Sequence, residues 1–162
     1  MTSASVDDTQ PPAEEAREQA RQGRSNGLKE LLAAGHPVTY LQIGECIIAR
    51  KPRLISTVLG SCVSATFHHR SGFGAIFHAI LPEQGPGYGP ESGRFVDSCV
   101  ALVARRLNSL GIAPREVDVK LFDGALTIEP ERKAEVRQIV DVGARNVAVA
   151  RRELAGRGFR IR

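Results

Sequence analysis

Cys62 stands in Ser56-Thr57-Val58-Leu59-Gly60-Ser61-Cys62-Val63, an apolar run broken by Gly-Ser just before the thiol. A second run, Gly74-Ala75-Ile76-Phe77-His78-Ala79-Ile80-Leu81-Pro82, follows after a short polar break. One thiol and one imidazole on adjacent strand-like segments are the minimum apparatus for nucleophilic acyl transfer. The thiolate attacks a carbonyl and the imidazole manages the protons. The chemistry implied is hydrolysis of an amide or an ester. The same residues also admit a purely structural reading, with Cys62 an inert core thiol and His78 a hydrogen-bonded core histidine.

The two readings differ in geometry. Side chains alternate faces along a strand. Cys62, Ser64, Thr66 and His68 share one face of the first segment, and Ile76, His78 and Ile80 share one face of the second. In a hairpin these sets face the same side only if paired residue numbers sum to an even value, as with His68 opposite Gly74. Cys62 then lies opposite Ile80 and His78 opposite Ser64. Thiol and imidazole become diagonal neighbours, about 7–8 Å apart at the backbone and within side-chain reach. The loop through His69-Arg70-Ser71-Gly72-Phe73 must therefore hold an odd number of residues. A two-residue Ser-Gly turn would put the pair on opposite faces.

Three neighbours have a logic of their own. Gly60-Ser61 suits a bend that needs unusual dihedrals, and backbone N–H groups at such a bend can point at an oxyanion. Thr57, one short strand away, offers a hydroxyl to accept from the imidazole N–H and hold the ring. Cys99 falls on an apolar helix face and Cys46 in a strand, so both read as packed thiols. His68 and His69 are adjacent and point to opposite faces of a strand, so no metal site is expected.

The elements that must position these residues follow from pattern. A chain of 162 residues is one domain's worth and long enough to bury a core. Tryptophan is absent and aromatics make up 5% of the chain, so aliphatic packing must dominate. Residues 1–27 are polar, with Pro11-Pro12, and read as a disordered tail; 28–162 read as the folded domain. A short helix is expected over Leu28 to Ala34. Short β segments follow: Tyr40 to Ala49, Arg53 to Leu59, Cys62 to His68 and Gly74 to Leu81. Pro82 to Gly93 is a Gly/Pro-rich loop. Arg94 to Leu110 has Phe95, Cys99, Leu102, Val103, Leu107 and Leu110 at helical spacing, with Gly111 as the stop. Val117 to Phe122 reads as a strand, Pro130 to Val140 and Ala144 to Ala155 as two helices, and Phe159 to Arg162 as the start of a strand. Strands first and helices after imply an α+β fold, an antiparallel sheet covered by two or three helices.

Charge and cysteine usage narrow the partners. The net charge is +4 and the pI about 9.3, which favours acidic partners. No basic stripe interleaved with aromatics marks a nucleic-acid surface. Three cysteines without a Cys-x-x-Cys pair argue for a reducing compartment. No signal peptide or membrane span is read, so the expected location is cytoplasmic, without membrane insertion.

Thr57-Val58-Leu59-Gly60-Ser61-Cys62-Val63 followed by Gly74…His78…Leu81-Pro82 resembles the chemoreceptor glutamine deamidase family, CheD. The order of further segments carries the resemblance across about Val38 to Arg162. Gly44-Glu45 precedes the site strand. Arg94-Phe95-Val96-Asp97 resembles the opening of the family's long helix, and Phe122-Asp123-Gly124-Ala125 resembles its Phe-Gly-Gly-Ala turn. Val142-Gly143-Ala144-Arg145-Asn146 resembles its Ile-Gly-x-Arg-Asn helix start. The resemblance implies an α/β/β layered fold and hydrolysis of receptor glutamine side chains to glutamate with release of ammonia. It implies Cys62 as nucleophile, His78 as its partner and Thr57 as the supporting hydroxyl, with Ser56 a weaker candidate. It implies no metal or organic cofactor. The implied partners are methyl-accepting chemoreceptors and, in some lineages, a CheC-type chemotaxis phosphatase. It also implies a further strand and a Gly-rich segment beyond Arg162, so 28–162 reads as short at its C-terminus. Two other functions remain compatible with these residues: a CheD-like binding module without catalysis, and a thiol hydrolase of receptor methyl esters.

Overall fold

The computed structural model describes residues 29–35, 38–51, 53–87, 92–124 and 133–162, with side chains of the last segment described from 142 onward. The chain divides between Pro37 and Val38. On the first side, 29–33 form one helical turn that ends at Gly35, in the left-handed region at φ 66°. The expected tail over 1–27 lies outside the described residues.

Residues Val38–Arg162 build one sheet with helices on one face and a small ribbon on the other. The strands are β1 (Val38–Tyr40), β2 (Cys46–Ala49), β3 (Leu54–Ser56), β4 (Val63–His68), β5 (Gly74–Ala79), β6 (Asp118–Asp123) and β7 (Arg160–Ile161). The five-stranded sheet runs β2-β5-β4-β6-β7. It is antiparallel except for the β6–β7 pair, which is parallel. β1 and β3 form a separate two-stranded parallel ribbon. The expected α+β layering is observed, with β6–β7 and β1–β3 as the parallel exceptions.

Strand parity decides which face is the core. Val63, Ala65 and Phe67 of β4, Ala75, Phe77 and Ala79 of β5, and Val119 of β6 are buried together. Helix α1 (Val96–Ser109) packs on this odd-numbered face over β5, and helix α2 (Lys133–Gly156) packs beside it over β4 and β7. α1 contributes Val96, Cys99, Val100, Val103 and Leu107 to the core. Its N-cap, Phe95, makes no side-chain cap bond. Burial of each apolar side chain is worth about 1.5–3 kcal/mol against about 1 kcal/mol for a cap, so packing outweighs the missing cap.

Three expectations change. The single strand over Tyr40 to Ala49 is two strands, because the chain turns at Gly44, whose φ of 82° only glycine adopts without strain. The two helices expected over 130–140 and 144–155 are one helix over the described part, running through Gly143; 130–132 lie outside the described residues. A glycine costs about 1 kcal/mol inside a helix, and the helix runs through it all the same. A Cβ on Gly143 would sit 3.4 Å from the Ser61 carbonyl oxygen, so α2 approaches the segment before Cys62 closely. Third, Gly60 is not in the left-handed region, and a Cβ there would meet nothing within 4 Å. The need for glycine lies across the gap at Gly124, where a Cβ would overlap the Gly60 carbonyl oxygen. Asp123, beside it, closes β6 opposite Val63 without a positive φ.

That backbone overlap has no flexible atom to yield. Gly124→Ala is expected to lower the thermal midpoint by several degrees. Gly85→Ala, with open space and no positive φ, is expected to leave it nearly unchanged in the same scan.

Candidate functional site

The β4–β5 hairpin has the even register. His68 pairs with Gly74, Ser64 with His78 and Val63 with Ala79, closed by the five residues His69 to Phe73. The ladder ends at the Val63–Ala79 pair; extended by one residue, the same register would set Cys62 opposite Ile80 and diagonal to His78. His78 lies on the face away from the helices, where Thr57 and Leu41 meet it, and the same parity would put Cys62 on that face.

The ribbon fixes the imidazole. Thr57 follows β3, and its hydroxyl donates to the Leu41 carbonyl at 2.9 Å. The same oxygen lies 2.8 Å from His78 Nδ1. A carbonyl can only accept, so the single hydroxyl proton goes to Leu41, and Nδ1 must be the donor in its contact with Thr57. That assigns the Nδ1–H tautomer and leaves Nε2 with a bare lone pair. Nε2 is buried and has no hydrogen-bond partner. The backbone of His78 is pinned as well: its N–H donates to Glu45 O at 2.9 Å, and its carbonyl accepts from Gly44 N–H at 2.7 Å. Ser56 ends β3 as an exposed residue, so Thr57 rather than Ser56 reaches the ring.

Burial sets both titrations. His78 is 1% exposed. Desolvation lowers its pKa below the usual 6.5, partly offset by the Leu41 carbonyl, which favours the protonated ring. Desolvation raises Cys62 above 9.0, partly offset by a backbone hydrogen bond from Gly60. Near neutral pH the pair is therefore a thiol and a neutral imidazole. Cys46 is pushed up to about 11 and Cys99 well above the thiol range, both chiefly by burial. Cys99 donates to the Gly93 carbonyl at 3.2 Å. All three are free thiols, and neither of the other two shares the hairpin with His78.

One residue at the site carried no role in the sequence reading. Asn146 of α2 is completely buried. Its side-chain amide donates to Ile80 O at 3.0 Å and to Ser61 O at 3.3 Å. It therefore clamps the two chain segments where the strand ladder ends. Asn146 also holds the peptide that precedes Cys62, while the Cys62 carbonyl accepts from Gly124 N–H at 3.4 Å on the β6 side. A signal was present: Asn146 is the polar member of the stripe Val142, Asn146, Val149, Ala150, Leu154, and a buried amide must find partners. Among the described residues, no group of three or more His, Cys, Asp or Glu side chains could hold a metal.

A family model described as CheD chemotactic sensory transduction matches residues 80–162. The chain is 46% identical over 141 residues to a "Probable chemoreceptor glutamine deamidase CheD" of Oleidesulfovibrio alaskensis, covering 85% of this chain and 66% of that protein. It is 50% identical over 118 residues to the protein of the same name from Nitratidesulfovibrio vulgaris, covering 71% and 59%. It is 40% identical over 128 residues to "Probable chemoreceptor glutamine deamidase CheD 2" of Geobacter sulfurreducens, covering 77% and 74%. The chain spans less than two thirds of the length of the first two.

Nitrogen NMR of the His78 ring is expected to show Nδ1 protonated and Nε2 bare at pH 7, with a titration midpoint below 6.5. Between that midpoint and 6.5 the unfolded chain binds a proton that the fold refuses, so stability falls as pH drops through this window. Thr57→Val leaves a buried N–H without an acceptor. It should erase the tautomer preference and cost about 1–3 kcal/mol in denaturant unfolding, whereas Thr57→Ser should keep both. Asn146→Leu takes the side-chain donor from the Ser61 and Ile80 carbonyls and is expected to cost about 1–3 kcal/mol by the same measurement.

Proposed function

The chain belongs to the CheD family, and we propose that it is a protein-glutamine deamidase in which Cys62 is the nucleophile, His78 the general base and acid, and Thr57 the residue that orients the ring. The observation that carries this reading is the bare, buried Nε2 of His78 on the face that the even register shares with Cys62. The names of the relatives supply the substrate class, glutamines of chemoreceptors, and we take these to be methyl-accepting receptors.

The neutral resting pair defines the proton path. As Cys62 Sγ bonds to the carboxamide carbon, its proton passes to Nε2, so no free thiolate need exist in the desolvated site. The carbonyl oxygen takes up the electron pair as the tetrahedral intermediate forms. Thr57 accepts from Nδ1–H throughout and prevents the imidazolium from turning. His78 then protonates the departing nitrogen, ammonia leaves and a thioester remains. Water, deprotonated by the neutral ring, attacks the thioester, and the thiol recovers its proton as glutamate is released. Every step is proton and acyl transfer on the chain's own residues.

On this reading the protein works in the cytoplasm on receptor helices, and a CheC-type phosphatase is a second partner. The free thiols suit a reducing compartment.

The test is the intact mass of a cognate chemoreceptor cytoplasmic fragment after incubation with the protein. Each converted glutamine should add the mass difference between an acid and an amide, with ammonia released in equal number. Cys62→Ala should slow this by roughly 10³-fold or more. A fragment that forms a complex yet shows neither mass gain nor ammonia would overturn the reading.

A further inference from the structure

The sheet face that carries His78 continues toward the hairpin into a cleft of about 450 Å³. Its floor includes Ile55, Thr66 and Ile76, and its rim is Arg50, Lys51 and Arg53. No acidic side chain lines it. The ion pairs among the described residues lie elsewhere, Arg152 with Glu83 and Glu153, Arg157 with Glu153, and Arg162 with Asp118. Among the described residues, these three cations have no acidic partner around the cleft.

At the other end of the same face, large apolar side chains are left in water. Ile43 lies in the turn whose Gly44 N–H holds the His78 carbonyl, and it is exposed. Val58 follows Thr57 and is 73% exposed. Phe122 is 44% exposed and pairs with Ser64, which itself pairs with His78. Exposed apolar side chains gathered around a site mark a protein-binding surface more than chance scatter does.

We propose that this face docks an acidic amphipathic helix of the substrate protein, its apolar side on Ile43, Val58 and Phe122 and its carboxylates over Arg50, Lys51 and Arg53. The assignment rests on the deamidase reading and names the surface that selects the amide. Spacing adds a constraint. Along β5, His78 and Gly74 are about 14 Å apart at roughly 3.4 Å per residue, the rise of about nine residues of helix. The acidic residues that meet the cleft therefore lie some two to three helical turns from the converted glutamine.

The test uses Cys62→Ala protein, so that the amide is not consumed, and a cognate chemoreceptor cytoplasmic fragment as the probe. Affinity is measured at low and high salt. Joint reversal of Arg50, Lys51 and Arg53 to Glu is expected to weaken binding at least about tenfold at low salt and to flatten its salt dependence. Arg106→Glu, the same kind of charge change on the exposed side of α1, should shift affinity less than about twofold. Neutralisation of the three to Gln gives a milder version that does not depend on how well the reversed protein folds. A fragment whose acids about nine positions from the amide are changed to Lys should bind the reversed protein better than the parent. Equal weakening by Arg106→Glu, or full affinity after reversal or neutralisation of the cleft, would overturn the proposal. The two readings separate cleanly. A fragment that needs the cleft to bind but gains no mass with unmodified protein keeps the docking surface and overturns the deamidase. One that gains mass yet binds independently of the cleft does the reverse.

Discussion

The pairing of His68 with Gly74 sets the parity of the whole β4–β5 hairpin. Side chains alternate with a period of two, so a slip of one residue would move His78 into the helix-packed core and bring Phe77 to the ribbon face. The two faces are not interchangeable. One is lined by Val63, Ala65, Phe67, Phe77 and Ala79 against two helices; the other receives Thr57 and Leu41. Hydrophobic burial on the first face therefore holds the register that brings thiol and imidazole together on the second.

The layers on either side of that hairpin do different work. The ribbon supplies a hydroxyl whose one proton is already committed to Leu41, and this settles which imidazole nitrogen is bare. The helix layer supplies Asn146, which stitches Ser61 to Ile80 where the strand ladder ends. Gly124 lets the end of β6 press on Gly60. The segment before Cys62 is thus held from two sides, by Asn146 on Ser61 and by the close backbone approach of Gly124 to Gly60.

Desolvation then makes the pair neutral. Burial opposes both a thiolate and an imidazolium. On the face that carries the imidazole lie exposed apolar side chains near His78 and, toward Gly74, the cations that rim the cleft.

Much of this was legible in residue order. Alternation along Cys62 to His68 and Gly74 to Ile80 was enough to say which register would unite thiol and imidazole, though not to choose it over a two-residue Ser-Gly turn, and the stripe of α1 marked Cys99, Val103 and Leu107 of its buried face but not Val96 and Val100. Other features are decided by partners distant in sequence. Whether the chain turns at Gly44, and whether a helix runs through Gly143, depends on what packs there, and a local pattern does not contain it. The Thr57 hydroxyl, the Leu41 carbonyl and His78 Nδ1 meet only because the ribbon folds over the sheet, and Asn146 finds its two carbonyls only from the opposite layer. The sequence by itself determined the chemistry available, because a thiol, an imidazole and a hydroxyl are properties of residue type and strand parity is a property of spacing. Only the tertiary structure decided the tautomer, the protonation state and the clamp on Ser61, because each depends on burial and on hydrogen-bond partners that residue order does not specify.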